Sequence, residues 1–195
     1  MNEADGIRVL PVTRAYYEGV IRPGIQSAER AARAGSGAGA VDDSEMVPDG
    51  YTAGVAGDHA CAKARARNFQ KLGADTAEVL ERPDQTDVIQ VGHCIEVIFD
   101  DAAEPVRVHV VTPLDIEILN AMMPVGSAMR ARFNNNITAM IASSVGPLGQ
   151  ALVGLRRGES REFTVNVDGP KTKVTVSESE GTIEVSELFD LPLEP

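Results

Sequence analysis

The chain has no tryptophan, and aromatic residues make up only 4% of its 195 positions. A core assembled without large rings must come from Val, Ile, Leu, Met and Ala, and sheet formation must lean on β-branching. Cysteine is scarce too, with Cys61 and Cys94 the only two. Two thiols without a CxxC spacing exclude a disulfide-stapled scaffold, and a reducing cytoplasm is the expected setting. No window approaches the roughly 18 apolar residues of a membrane span, and Met1-Asn2-Glu3-Ala4-Asp5 lacks the basic and apolar regions of a secretion signal. A membrane partner is therefore not expected. Positive charge is also short: 18 Lys and Arg face 29 Asp and Glu, a formal net charge of −11. An acidic surface of this kind argues against sequence-specific DNA binding, which needs clustered cations to neutralise phosphates.

What is present suffices for a real core, since 43% of residues are hydrophobic, and the length accommodates two small domains. The expected division is 1–84, helical, and 85–195, α+β. In the first part, residues Val12 to Ala34 are rich in Ala, Glu and Arg, with Thr13 as N-cap and Gly35 as stop. Pro23-Gly24 lies in the middle, where proline removes a hydrogen bond, so a kink or two shorter helices are expected. A Gly-rich, acidic, flexible segment follows to Gly57, and Asp58 caps a second helix through Glu81 on Ala60, Ala62, Ala64, Ala66, Phe69 and Leu72. Two helices joined this way form an antiparallel, coiled-coil-like hairpin that depends on mutual packing.

From Val88 the character changes to strands. Ile95–Phe99, Val106–Val111, Phe163–Val167, Lys173–Val176 and Thr182–Val185 alternate apolar and polar residues and are separated by turn-forming sequence. One short helix, Pro147 to Leu155, would cover the sheet. The stretch 113–142, with four Met and Asn134-Asn135-Asn136, fits neither period and is an insertion of unknown form.

The most informative stretch is Ser144-Val145-Gly146-Pro147-Leu148-Gly149-Gln150-Ala151-Leu152-Val153-Gly154-Leu155-Arg156-Arg157-Gly158-Glu159. Physically it is a turn, a short helix with Leu148, Ala151, Leu152 and Leu155 on its apolar face, a terminating Gly154, and a second turn at Gly158 into an alternating strand. It also resembles the signature of the C-terminal domain of the Gre family of bacterial transcription elongation, or transcript-cleavage, factors. The resemblance extends over Val91 to Val185. It implies an FKBP-like antiparallel sheet with one short helix, and RNA polymerase as partner, with Pro147, Leu148, Gly149, Leu152, Gly154, Arg156 and Arg157 as partner-binding residues.

The same family carries paired carboxylates at the tip of its N-terminal hairpin, and Asp42-Asp43-Ser44-Glu45 lies in the connection between the two expected helices. Through this resemblance Asp42 and Glu45 become candidate catalytic and Mg²⁺-binding residues, acting in trans at the polymerase active site. They would enter through the secondary channel and stimulate cleavage of backtracked RNA. The residue types suit a hard cation, which takes a few carboxylate oxygens plus water. No cofactor belonging to the chain itself is implied, and the factor is not an enzyme. A channel-binding modulator without cleavage activity, and an FKBP-like module with an unrelated partner, are the alternatives.

Three further groups stand out. His59, Cys61, His93 and Cys94 can be drawn as a zinc site, but adjacent strand residues such as His93 and Cys94 point to opposite faces. Within 85–195, Phe99, Phe133, Phe163 and Phe189 are the only aromatics available to line a prolyl-isomerase pocket. Arg14, Arg22, Arg30 and Arg33, with Lys63, Arg65, Arg67 and Lys71, concentrate positive charge on the two helices, as solvated faces or as flanks that meet the channel lining or nascent RNA.

Overall fold

The computed structural model describes residues 7–37, 64, 66–84, 87–100, 102, 104–123, 139–166, 169–178 and 183–191. Its centre is a six-stranded sheet built from β3 (His93–Phe99), β4 (Val106–Val111), β5 (Ala139–Ser143), β6 (Ser160–Thr164), β7 (Lys171–Val176) and β8 (Ile183–Val185). The order is β5-β4-β3-β7-β6, with β8 sharing an edge of β3 with β7. β3 pairs with β8 through His93–Ile95 and with β7 through Val97–Phe99. A separate two-stranded parallel ribbon joins β1 (Arg8–Val9) to β2 (Glu78–Val79).

The α+β class agrees with expectation, but the main sheet is mixed, not purely antiparallel. β5 runs parallel to β4, from Arg107 opposite Ala139 to Val111 opposite Ser143. A parallel neighbour needs a crossover connection, and the helix Pro113–Met122 lies in it. Both elements fall in the stretch left without a form. Ala139-Met140-Ile141-Ala142-Ser143 has no polar alternation to mark it as a strand.

At the N-terminus, α1 (Pro11–Tyr16), a π-helical turn (Tyr17–Ile21) and α2 (Arg22–Gly37) follow without interruption. The π turn is the local answer to Pro23. Arg22 N–H reaches back to the Tyr17 carbonyl, five residues earlier, just before a residue that has no N–H to give. Helical backbone continues to Gly37, past Gly35. Thr13 is not the N-cap: Leu10 holds that position, and Thr13 is buried inside α1. Of the second expected helix, residues 66–71 are helical (α3), and Leu72 to Thr76 turn. Gly73, at φ +68°, ends α3 ten residues before Glu81, with Gly73 N–H bonded to Gln70 O and Ala74 N–H to Phe69 O. This is the paired 5→2 and 6→1 closure that a left-handed glycine allows. The tip of the expected hairpin lies outside the described residues.

Among the described residues two further helices follow, α4 (Pro113–Met122) and α5 (Pro147–Leu152), and a 3-10 turn spans Glu187–Asp190. One face of the sheet, carrying Ile95, Val97, Val108, Val110, Val174 and Val176, packs against Ala151, Leu152 and Leu155. Val111 belongs to the opposite face, with Leu10, Val12, Leu119, Met123 and Leu188. A third cluster joins Val9, Tyr17, Ile21, Phe69, Ala74 and Ala77 to Leu114 and Ile118 of α4. Residues on both sides of position 84 therefore share two apolar cores.

Between those cores sits Asp115, fully buried. Its Oδ1 accepts from Leu10 N–H at 2.8 Å and from the Thr13 hydroxyl at 2.6 Å. Its Oδ2 accepts from Thr112 N–H at 3.1 Å and the Thr112 hydroxyl at 2.8 Å, while Asp115 N–H returns a bond to Thr112 Oγ1. One carboxylate thus completes the capping box of α4 and ties down the start of α1, more than a hundred residues away in sequence. Burial pushes its pKa up, and the four donors oppose that shift. Replacing Asp115 with Ala strands a buried Leu10 N–H and removes the carboxylate half of the α4 capping box together, and should cost about 3 kcal/mol or more in urea unfolding. Asp115→Asn, which keeps one acceptor but turns an NH₂ toward two donors, should lose a smaller part of that stability.

Candidate functional site

The signature from Ser144 to Glu159 folds as one unit, and its small residues are there for geometric reasons. Ser144 N–H bonds Val111 O at 2.7 Å, continuing the parallel ladder, and Gly146 N–H turns back to Ser143 O. α5 then packs so closely on this turn that a Cβ at Gly149 would lie 2.0 Å from Ser143 O. Only glycine fits there. Gly154 leaves the helix at φ +85° and donates to Ile89 O, while Ile89 donates to Leu155 O. Gly158 takes φ +75° in the next turn, where Glu159 Oε2 accepts from Arg156 N–H at 2.8 Å. Arg161 of β6 reaches the C-terminal carbonyls of α5, donating to Gln150 O at 3.0 Å.

This arrangement separates the seven residues assigned to partner binding. Leu152 is wholly buried and Gly149 is buried against the turn, so both shape the unit from inside; Leu148 is half-buried on the same core. Pro147, Gly154, Arg156 and Arg157 are exposed. Val145 and Val153 are exposed beside them, at 45% and 36%. The outer surface thus combines three apolar side chains with two cations on an otherwise acidic protein. Sequence reasoning missed Val145 and Val153, because an exposed valine cannot be told from a core one by its neighbours in sequence.

Asp42 and Glu45 lie outside the described residues. Of the basic residues on the helices, several are engaged internally. Arg14 pairs with Glu18 at 2.7 Å and donates to Ala74 O, and Arg22 pairs with Asp75 at 3.1 Å. Tyr17 also donates to Asp75, and burial pushes its hydroxyl up to about 12. Phe99 and Phe163 pair edge to face on the α5 core, whereas Phe189 packs with the opposite cluster under Arg82; Phe133 lies outside the described residues. The described phenylalanines do not line one pocket.

His93 and Cys94 sit on opposite faces of β3, as their adjacency dictates. His93 is buried, accepting from Gln90 N–H at Nδ1, with Nε2 3.3 Å from Asp84 O. Cys94 meets a different histidine: register places it opposite His109 on β4, with Sγ 3.8 Å from Nε2. The same face gathers Arg107, Glu184, Ser186 and Glu187. Arg107 bonds Glu187 Oε1 at 2.5 Å and Glu184 at 3.3 Å, and Ser186 Oγ lies 2.7 Å from His109 Nδ1. Burial pushes the Cys94 thiol up to about 11, so it is not an activated nucleophile. Burial likewise lowers both described imidazoles, His109 to about 4.

Among solved structures, the chain is similar to the GreA factor homolog 1 (Gfh1) protein of Thermus thermophilus, at 20% identity over 92% of this chain and 99% of that one, TM-score 0.32. It is similar to Gfh1 of Thermus aquaticus at 20% identity over 89% and 97%, TM-score 0.30. A prokaryotic transcription elongation factor GreA/GreB from Nitrosomonas europaea matches at 20% identity over 57% and 76%, TM-score 0.31. No family model matches, and no curated protein matches.

Two outcomes follow from this geometry. Gly149→Ala should destabilise the fold by about 2 kcal/mol or more, because the obstacle is backbone and cannot swing aside; thermal unfolding measures it. Both buried imidazoles have folded pKa values below the ordinary 6.5, so protonation favours the unfolded chain. The stability they contribute is complete above about pH 6.5 and is lost as pH falls toward 4, with His109 accounting for up to about 3 kcal/mol. Urea midpoints measured in chelator from pH 7 to 4.5 should fall, and His109→Gln should flatten that slope.

Proposed function

We propose that this chain is a Gre-type factor that binds bacterial RNA polymerase. What supports this most directly is that the residues carrying the family resemblance form a single helix–turn–strand unit. Its buried members, Gly149, Leu152 and Leu155, fix the backbone, and its exposed members, Pro147, Arg156 and Arg157, lie on the outside of the unit, as do Val145 and Val153. An isolated apolar and cationic surface on a chain of net charge −11 suits a protein partner with an acidic rim.

In this proposal the α5–β6 unit docks at the mouth of the secondary channel, and the N-terminal segment enters it. Asp42 and Glu45 are the residues that would reach the polymerase centre, offering carboxylate oxygens to a Mg²⁺ ion held there. The chain supplies these groups to another enzyme's active site and performs no turnover alone.

The test is transcript cleavage in a stalled, backtracked elongation complex with cognate polymerase. Wild type should accelerate cleavage, Asp42→Ala/Glu45→Ala should not, and Arg156→Glu/Arg157→Glu should weaken polymerase binding several-fold. Binding without cleavage stimulation would replace the cleavage role with that of a channel-occupying modulator. Absence of any polymerase binding would overturn the proposal.

A further inference from the structure

Cys94, His109 and Glu187 bring one sulfur, one ring nitrogen and one carboxylate oxygen within 4.8 Å of one another, on a face of the sheet unrelated to the α5 surface. We propose that these three residues form a zinc-binding site that staples the C-terminal turn to the sheet. The proposal does not rest on the polymerase reading.

The spacing suits the ion. With Zn–S about 2.3 Å and Zn–N and Zn–O about 2.0–2.2 Å, tetrahedral ligands sit roughly 3.3–3.6 Å apart. Cys94 Sγ and His109 Nε2 are 3.8 Å apart and His109 Nε2 and Glu187 Oε2 are 3.7 Å apart, each within a few tenths of an ångström of that spacing, and with all three atoms inside 4.8 Å a rotation of the Glu187 side chain closes the set on a common centre. A thiolate, an imidazole and a carboxylate together select a borderline-soft cation over Mg²⁺ or Ca²⁺.

The surroundings orient the ligands as metal sites require. Ser186 Oγ, 2.7 Å from His109 Nδ1, can accept a hydrogen bond from Nδ1–H and leave the Nε2 lone pair facing the centre. Ser186 is itself held by Leu188 N–H, as the cap of the 3-10 turn. Arg107 occupies Glu187 Oε1. The other oxygen, Oε2, is buried and has no hydrogen-bond partner, although it points toward His109. A buried acceptor left in this state is unfavourable, and a cation at the centre supplies the partner it lacks. Arg107 is the cation paired with Glu184 and Glu187 here, and it does not offset a Cys94 thiolate as well, so a dication adds the positive charge that the ligand set calls for. Cys94 binds as the thiolate, its proton passing to solvent. Cys94 and His109 are enclosed, the Glu187 side chain is 42% exposed, and a tetrahedral zinc held by these three residues would take water as its fourth ligand.

The experiment uses the full chain, stripped with chelator and titrated with Zn²⁺ against a chromophoric competitor, and with Co²⁺ as a spectroscopic probe. Cys61→Ser serves as the background so that the other thiol cannot contribute. One Zn²⁺ per chain, a thiolate-to-cobalt charge-transfer band and a raised Tm are expected. Cys94→Ser should abolish the band, and Ser186→Ala should weaken binding about 10–100-fold while keeping it. Glu187→Gln, at a partly exposed position that circular dichroism can confirm as folded, should weaken binding and blunt the rise in Tm. No stoichiometric Zn²⁺ binding by the Cys61→Ser protein, or binding unchanged in Cys94→Ser or Glu187→Gln, would overturn the site.

Discussion

The buried carboxylate of Asp115 is the constraint on which the described fold turns. A charge in an apolar interior survives only when each oxygen is hydrogen-bonded, and Asp115 achieves this by drawing donors from two places, Thr112 at its own helix start and Leu10 and Thr13 near the N-terminus. Because those donors cannot be supplied locally, the N-terminal segment must lie against α4. Once it does, Leu10 and Val12 fall onto Val111, Leu119 and Leu188, and Val9 and Tyr17 onto Leu114 and Ile118. A polar requirement thereby sets the register in which two apolar clusters form.

The sheet divides the molecule's chemistry by alternation. Even-numbered residues of β4, Val108 and Val110, meet α5; odd-numbered ones, Arg107, His109 and Val111, turn to the side closed by the C-terminal 3-10 turn. The signature unit belongs to the first side, and the Cys94, His109 and Glu187 cluster to the second. A surface suited to docking and a buried group suited to a cation can therefore change independently, because the strands between them share a backbone but no side chains.

Much of this was legible from local pattern. The β-branched alternation of Val106 to Val111 and Lys173 to Val176, the glycines at 154 and 158, and the disturbance ahead of Pro23 all reflect physics confined to a few neighbouring residues. Where local cues were weak or misleading, expectation departed from structure. Thr13 resembles an N-cap because its hydroxyl is suited to one, yet a distant carboxylate claims it. Gly73 stops α3 early because a left-handed glycine closes a helix as readily as it weakens one. β5 carries no alternation, and its parallel pairing with β4 depends on a crossover containing α4 that no local pattern marks.

For the candidate sites the division is the same. Sequence alone determined the turn–helix–turn–strand signature, the acidic balance, and that His93 and Cys94 are poorly placed to share one metal ion, since each depends on spacing along the chain. Only the tertiary structure decided that Leu152 and Gly149 lie inside while Arg156 and Arg157 lie outside, and that the histidine beside Cys94 is His109. The reason is strand register: which residues face one another across a sheet is fixed by long-range packing and buried hydrogen bonds, and these join positions that no local periodicity connects.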